Sequence, residues 1–354
     1  MPWHLSDRSF GLGVVVGFLG SLALAVSLAT IVLRTRHVYS LGHWKLNMRT
    51  PLRSMWMNLG YWKTPDGKPV EYFDEACQGL LRAILEAAGL LTVPRVTDGD
   101  TDATPKGTAV LDLGFGCGDQ TLALARLVPL ETRRKFGYVG LTLNETQVRT
   151  ATGMLDRELV SCAGAITQLP HRACFTLYCA DAARPDTWSP AIRQSVQQLA
   201  DQSFTQRWLL ALDCLYHFSP SRRPILQFAA RKLDAGVMAF DLILNEQAST
   251  TQRLLVRAVG IMMNCPWHTF LTEDEYRAQL VECGYDTNTI TIQDISDNVF
   301  AGVSGYILRQ EAALGRYGIS IGGFKLAARL FAWFDRTRVV KAVIVVGRSK
   351  GKTE

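Results

Sequence analysis

AVLDLGFGCGDQTLALA, residues 109–125, is the stretch whose reading decides the fold. Residues 109–113 read as a buried strand carrying one acid, Asp112, near its end. Gly114, Gly116 and Gly118 then turn the chain into a helix that begins near Gln120. Glycine suits such a turn because it has no Cβ, so backbone can approach a ligand at the carboxyl edge of a sheet. By itself the pattern is weak. A glycine-rich strand-to-helix turn also serves dinucleotides, and it can close without any ligand. The spacing here is GxGxG behind an acid, however, and not the dinucleotide fingerprint GxGxxG.

Outward from this stretch, strands and helices alternate. Continuous apolar runs at 136–142, 174–179, 208–213 and 236–242 read as further strands, with helical segments such as 145–160 and 221–234 between them. Buried strands separated by helices imply a parallel sheet covered on both faces. Two more candidates, 288–293 and 340–346, lie beyond the fifth strand. Ahead of the first strand, 71–92 has helical spacing, with Phe73, Cys77, Leu80, Leu81, Ile84 and Leu85 on one face. The polar stretch 95–108, rich in Asp, Thr, Gly and Pro, reads as a surface loop.

Hydrophobic strand, Asp112, GxGxG and helix together resemble the first motif of Rossmann-like S-adenosylmethionine-dependent methyltransferases. The resemblance runs over approximately residues 55–350. It implies an α/β fold with a seven-stranded, mostly parallel sheet flanked by helices, its last strand antiparallel, and S-adenosylmethionine as cofactor. In that family the turn wraps the methionine end, whose ammonium and sulfonium suit an acid better than a pyrophosphate would. Many members place an acid after the second strand to hold the ribose. In GYVGLTLNETQ (137–147) Thr142 stands there, with Gln147 following. That variant is similar to the subgroup of cyclopropane fatty-acid synthases, tocopherol methyltransferases and alkaloid N-methyltransferases, in which Thr142 and Gln147 would hold the ribose. CADAARPDTW (179–188) would bring Asp181 to the adenine amino group and Ala182 beside the ring; an Asp capping the next helix is the plainer reading. LDCLYHF (212–218) matches the subgroup's E-x-x-E-H pattern with Asp213, Tyr216 and His217, next to the transferring methyl. Tyr216 and His217 could take up a proton there, or His217 could be purely structural. MNLGYW (57–62) resembles the subgroup's segment over the cofactor, so that Tyr61 and Trp62 would present aromatic faces to the sulfonium, unless they are core aromatics.

The remaining signals concern location and acceptor. Phe10 to Leu33 carries no charge, and about 24 residues at ~1.5 Å rise are long enough for a hydrocarbon core of ~30 Å. A single-pass transmembrane anchor at 10–33 is expected, with 1–9 a short non-cytosolic tail and 34–56 a connector. Arg34, Arg36, Lys45 and Arg49 follow the span while Arg8 precedes it, which places the 57–350 catalytic domain in the cytosol. Residues 298–338 read as a lid, apolar and ending in FKLAARLFAWF (324–334), and 254–263 faces the same cavity. The lid's end helix either lines a greasy pocket, lies on a membrane or is core. Anchor and lid together point to a hydrophobic small-molecule acceptor: lipid, sterol or terpenoid, or a lipophilic natural product. Cyclopropane-type methylene transfer to an unsaturated acyl chain is the rival reaction, disfavoured by Tyr216 in place of the second acid. A non-catalytic, membrane-tethered scaffold is the rival of another class. The formal charge of +6 over 354 residues, with no basic cluster among aromatics, gives no sign of nucleic acid. The eight cysteines are scattered without a CxxC pair, so no metal site is expected and a reducing compartment is the simpler reading.

Overall fold

The computed structural model describes residues 7–35, 49, 51–91, 107–129, 135–161 and 169–351. Most of the expected connector and of the 95–108 loop lie outside the described residues. The chain divides into two units, Met1–Pro51 with Glu311–Ile321 and Leu52–Gln310 with Gly322–Glu354.

The second, larger unit is built on seven strands: β1 Gly107–Leu113, β2 Phe136–Thr142, β3 Phe175–Cys179, β4 Phe204–Leu212, β5 Gly236–Leu244, β6 Thr291–Asp294 and β7 Val340–Gly347. They form one sheet in the order β3-β2-β1-β4-β5-β7-β6. The first five pair in parallel, whereas β7 runs antiparallel to both β5 and β6. Every residue of β1 and β5 is buried, which is why both read as unbroken apolar runs and not as alternations. The chain steps outward from β1 to β3, then returns to β4 on the other side of β1. The crevice between the carboxyl ends of β1 and β4 is therefore the topological switch point, where ligands bind in open α/β sheets.

Alternate residues of the strands feed two cores, Val110, Leu210 and Phe240 on one face and Leu111, Leu209 and Ala239 on the other. The helix α1 spans Asp7–Thr35, and over the first face lies the amphipathic α2 Phe73–Ala87, whose Leu80, Leu81, Ile84 and Leu85 are fully buried. Truncating any one of them to Ala would cost about 2–5 kcal/mol. The helices α3 Asp119–Leu127 and α4 Glu145–Ser161 share that face. On the opposite face pack α5 Pro190–Gln198, α6 Arg223–Lys232 and α8 Glu273–Cys283. Between β5 and α8 comes α7 Thr250–Met262, and between β6 and β7 come α9 Phe300–Gly315 and α10 Phe324–Thr337. Phe300, Phe331 and Phe334 join these last two helices to the first core. One charged group is answered inside the fold: Asp241 of β5 pairs with the buried Arg222 and accepts from the Tyr276 hydroxyl at 2.9 Å.

In the other unit a single helix, α1 Asp7–Thr35, occupies the expected anchor. The transmembrane expectation needs correction here. Among the described residues no helix is long and apolar enough to cross a membrane. The side chains described over 13–27 are all exposed.

Candidate active site

At the end of β1 the chain turns through three glycines with left-handed backbone, Gly114 (φ 71°), Gly116 (φ 66°) and Gly118 (φ 106°). A Cβ on Gly114 would stand 3.2 Å from Cys214 Cβ, and one on Gly116 3.2 Å from Met57 Cε. The turn is thus a cradle that a side chain would fill. Beneath it, Asp112 is fully buried and does not line the cavity; the Tyr138 hydroxyl donates to it at 2.6 Å and Gln120 Nε2 at 2.7 Å. Burial pushes the Asp112 carboxyl up to about 7 against the pull of those two donors. Its role is to fix the turn from behind.

Over the cradle lies a cavity of about 120 Å³ lined by residues 55–58, 114–117, 119, 120 and 212–214. Two carboxylates, Asp119 and Asp213, face this space, and among the described residues no Lys, Arg or His belongs to its lining. Asp213 follows directly on β4 with a positive φ of 64°, which turns its side chain back over the sheet edge. Its carboxylate accepts from the Tyr216 hydroxyl at 2.6 Å and from the Leu59 amide at 2.9 Å. Burial raises the Asp213 carboxyl to about 7, with both hydrogen bonds opposing the rise. Burial likewise raises Asp119, which accepts from the Met55 amide at 3.2 Å. A carboxylate pair held high by burial, with no cation to answer it, is suited to a positively charged ligand.

The sequence-derived candidates fall into three groups. Asp213, Gly114 and Gly116 line the cavity, and Gly118 closes the turn against the Ala151 backbone. Tyr216 and His217 sit one step along, their rings 4.4 Å apart. Tyr216 is buried, and its hydroxyl is pushed well above its ordinary value, so it donates to Asp213 and does not take up a proton. Partial burial of the His217 ring lowers its pKa, and its Nδ1 lies 3.4 Å from Cys265 Sγ. A neutral imidazole at that edge is the group able to accept a proton. Thr142 and Gln147 pair with each other at 2.5 Å, and Gln147 Nε2 reaches Met57 Sδ at 3.8 Å. At the next strand end Asp181 accepts from the Ala183 amide at 2.9 Å and faces Arg184 at 3.8 Å, while Ala182 is buried.

Tyr61 and Trp62 are not brought to the cavity. Trp62 is buried, stands 5.2 Å from the Tyr306 ring and donates from Nε1 to Leu59 O at 2.8 Å. Tyr61 accepts from Asn298 Nδ2 at 2.8 Å. Both anchor the strap formed by residues 55–59, and the cavity is lined by Met55, Trp56, Met57 and Asn58 in their place. Sequence reading named Met57 and Asn58 only as part of the 57–62 segment and passed over Met55, Trp56 and Asp119. For Asp119 the signal was present, an acid directly after the last glycine of the turn; for the strap, nothing periodic marks it. The 254–263 and 298–338 stretches contribute no residue to this cavity.

No protein-family model and no curated protein matches the chain. Solved structures do. A geranyl diphosphate C-methyltransferase of Streptomyces coelicolor, seen with Mg2+, geranyl diphosphate and S-adenosyl-L-homocysteine, shares 13% identity over 87% of this chain and 97% of its own, with TM-score 0.51. The cyclopropane synthase MmaA2 of Mycobacterium tuberculosis shares 14% over 82% and 90%, TM-score 0.52. The 4+2 cyclase SpnF shares 14% over 83% and 87%, TM-score 0.52. The fold is that of the Rossmann-like methyltransferases. At these identities the likeness concerns the fold, and the cyclase shows that the methyltransferase fold is not tied to one reaction. Among the described residues, no group of three or more His, Cys, Asp or Glu could hold a metal ion.

Proposed function

We propose that this chain is an S-adenosylmethionine-dependent methyltransferase acting on a hydrophobic small molecule. One observation carries the reading: a three-glycine cradle at the switch point, faced by Asp119 and Asp213 and, among the described residues, by no cation. A dinucleotide's pyrophosphate would meet two carboxylates there, whereas an ammonium and a sulfonium are drawn to them. Asp119 and Asp213 would hold the cationic end, and Thr142, Gln147 and Asp181 occupy the strand ends where ribose and adenine would be read. The cofactor, when bound, supplies a methyl group on a sulfonium. This chain's residues position it, exclude water beneath the strap, and offer the neutral His217 as acceptor for the proton the nucleophile sheds.

Methylene transfer to an unsaturated acyl chain is the second reading, supported by the fold shared with the cyclopropane synthase. Tyr216, standing in the subgroup pattern's second acidic position, weighs against it. The uncharged stretch 10–33 and the basic residues after it support a further part of the proposal, association with a membrane and a cytosolic catalytic body.

The deciding experiment is calorimetric titration of the full chain with S-adenosylmethionine, beside Gly116→Arg. Micromolar binding, lost in the variant, is expected. A folded wild-type chain that fails to bind would overturn the reading, and nicotinamide dinucleotides would then be the next ligands to try.

A further inference from the structure

We propose that Arg257 binds an anionic group, a carboxylate or a phosphate, carried by the hydrophobic acceptor. The proposal rests on the transferase reading above and names the chemical class of its substrate. Arg257 lies on the inward side of α7, where Val256 and Gly260 are buried, while Leu254, Leu255, Ile261 and Met262 of the same helix are exposed. Its Nε is buried and has no hydrogen-bond partner among the described residues. No carboxylate pairs with it among the described residues either. Its guanidinium stands 5.9 Å over the Trp267 ring.

Other arginines in this region are answered. Arg253, one turn earlier on the same helix, donates to Ala248 O at 3.0 Å and Glu246 O at 2.7 Å. Arg222 pairs with Asp241 in the core. A guanidinium does not lose its proton in a protein, so a half-buried one without an anion carries a desolvation cost that a bound anion relieves.

Its position gives that anion a use. Cys265 Sγ lies 3.4 Å from His217 Nδ1, Trp267 follows two residues later, and Arg257 covers the Trp267 ring. Arg257 is thus linked through Trp267 and Cys265 of one short loop to His217, and an acceptor that reaches His217 would carry its polar end toward this loop. The planar fork matches carboxylate and phosphate oxygens, and a ring beneath it holds the fork in plane.

The test uses the full chain in wild-type, Arg257→Leu and Arg257→Lys forms. Each is titrated with laurate, dodecyl phosphate and dodecanol below micelle formation, following tryptophan fluorescence. Tighter binding of at least one anion than of dodecanol by about tenfold is expected in the wild type, lost in Arg257→Leu and kept in part by Arg257→Lys. Which anion wins tells carboxylate from phosphate. Equal binding of all three probes, binding of none, or a preference that survives in Arg257→Leu overturns the proposal. S-adenosylmethionine titration of the same samples separates the two claims. Its failure in all three forms would sink the transferase reading, while the anion preference would still be read on its own.

Discussion

Asp213 gathers more of the site's physics than any other single residue. It stands in left-handed backbone at the end of β4, closes on the strap through the Leu59 amide and on Tyr216 through the hydroxyl, and faces the cavity. With its carboxyl raised by burial to about 7, it is largely protonated at pH 6 and largely ionised at pH 8. The sign for stability follows: between its ordinary value and about 7 the folded chain keeps a proton that the unfolded chain has lost, so this group's stabilising contribution is present at low pH and fades as pH rises through 7. For a cationic ligand the sign is opposite, because only the ionised form attracts it. Affinity for S-adenosylmethionine should therefore rise as pH goes from 6 to 8, which calorimetry at three pH values would read. Asp213→Asn should weaken binding about tenfold at pH 8 and remove most of the slope. Asp112, also near 7 but behind the turn, and Asp119, raised by burial and facing the cavity, carry the rest of it. Tyr216→Phe removes a donor that lowers the Asp213 value, so the midpoint should move upward. A wild-type chain whose affinity is flat in pH would refute this account.

At the scale of elements, the strap over residues 55–59 governs access. Its residues Met55 to Asn58 form one side of the cavity of about 120 Å³. Its hinge-side anchor is Trp62, whose amide donates to Asn298 O at 2.7 Å and whose ring lies against Gly302 of α9. A Cβ at Gly302 would run into that ring, so Gly302→Ala should unseat Trp62, cost about 1–3 kcal/mol in denaturant unfolding and weaken cofactor binding with it. Unchanged stability and affinity in Gly302→Ala would show that the strap is held elsewhere. The buried pair under β5 makes a second prediction. Asp241→Asn leaves Arg222 charged without its partner and should cost about 3–5 kcal/mol, while Tyr276→Phe, losing one hydrogen bond, should cost about 1 kcal/mol. These elements also mark what a sequence can tell. β1, β2, β4 and β5 were legible because burial on both faces leaves long apolar runs, and the glycine turn because left-handed backbone needs glycine. Asp213 and Tyr216 drew attention through the E-x-x-E-H pattern at a strand end. The strap was half legible: Tyr61 and Trp62 drew attention by their rings, yet the cavity takes Met55 to Asn58. That choice is made by long-range hydrogen bonds, Met55 to Asp119 and Leu59 to Asp213, which leave no periodicity along the chain.

For the whole molecule, the question is where the reaction meets its acceptor. A hydrophobic acceptor partitions into lipid, so an enzyme held at the membrane meets it at far higher local concentration than one in solution. Residues 7–35 form one helix, and 10–33 carry no charge. Arg34, Arg36, Lys45 and Arg49 follow it, which favours keeping the body on the cytosolic side. The full chain should accordingly co-float with liposomes and resist alkaline carbonate. Leu22→Arg with Leu24→Arg, each costing about 2.5–3.5 kcal/mol near the middle of such a stretch, should release it while leaving S-adenosylmethionine affinity unchanged. Protease treatment of sealed vesicles adds the topological answer. A tag at Met1 that is protected while the body is cut means that 10–33 crosses, and a tag cut together with the body means that the helix lies along one leaflet. If the unaltered chain stays at the bottom of the gradient and washes off in carbonate, the membrane part of the proposal fails. The cofactor site would stand untouched by that result, since the glycine turn and its two carboxylates belong entirely to the other unit.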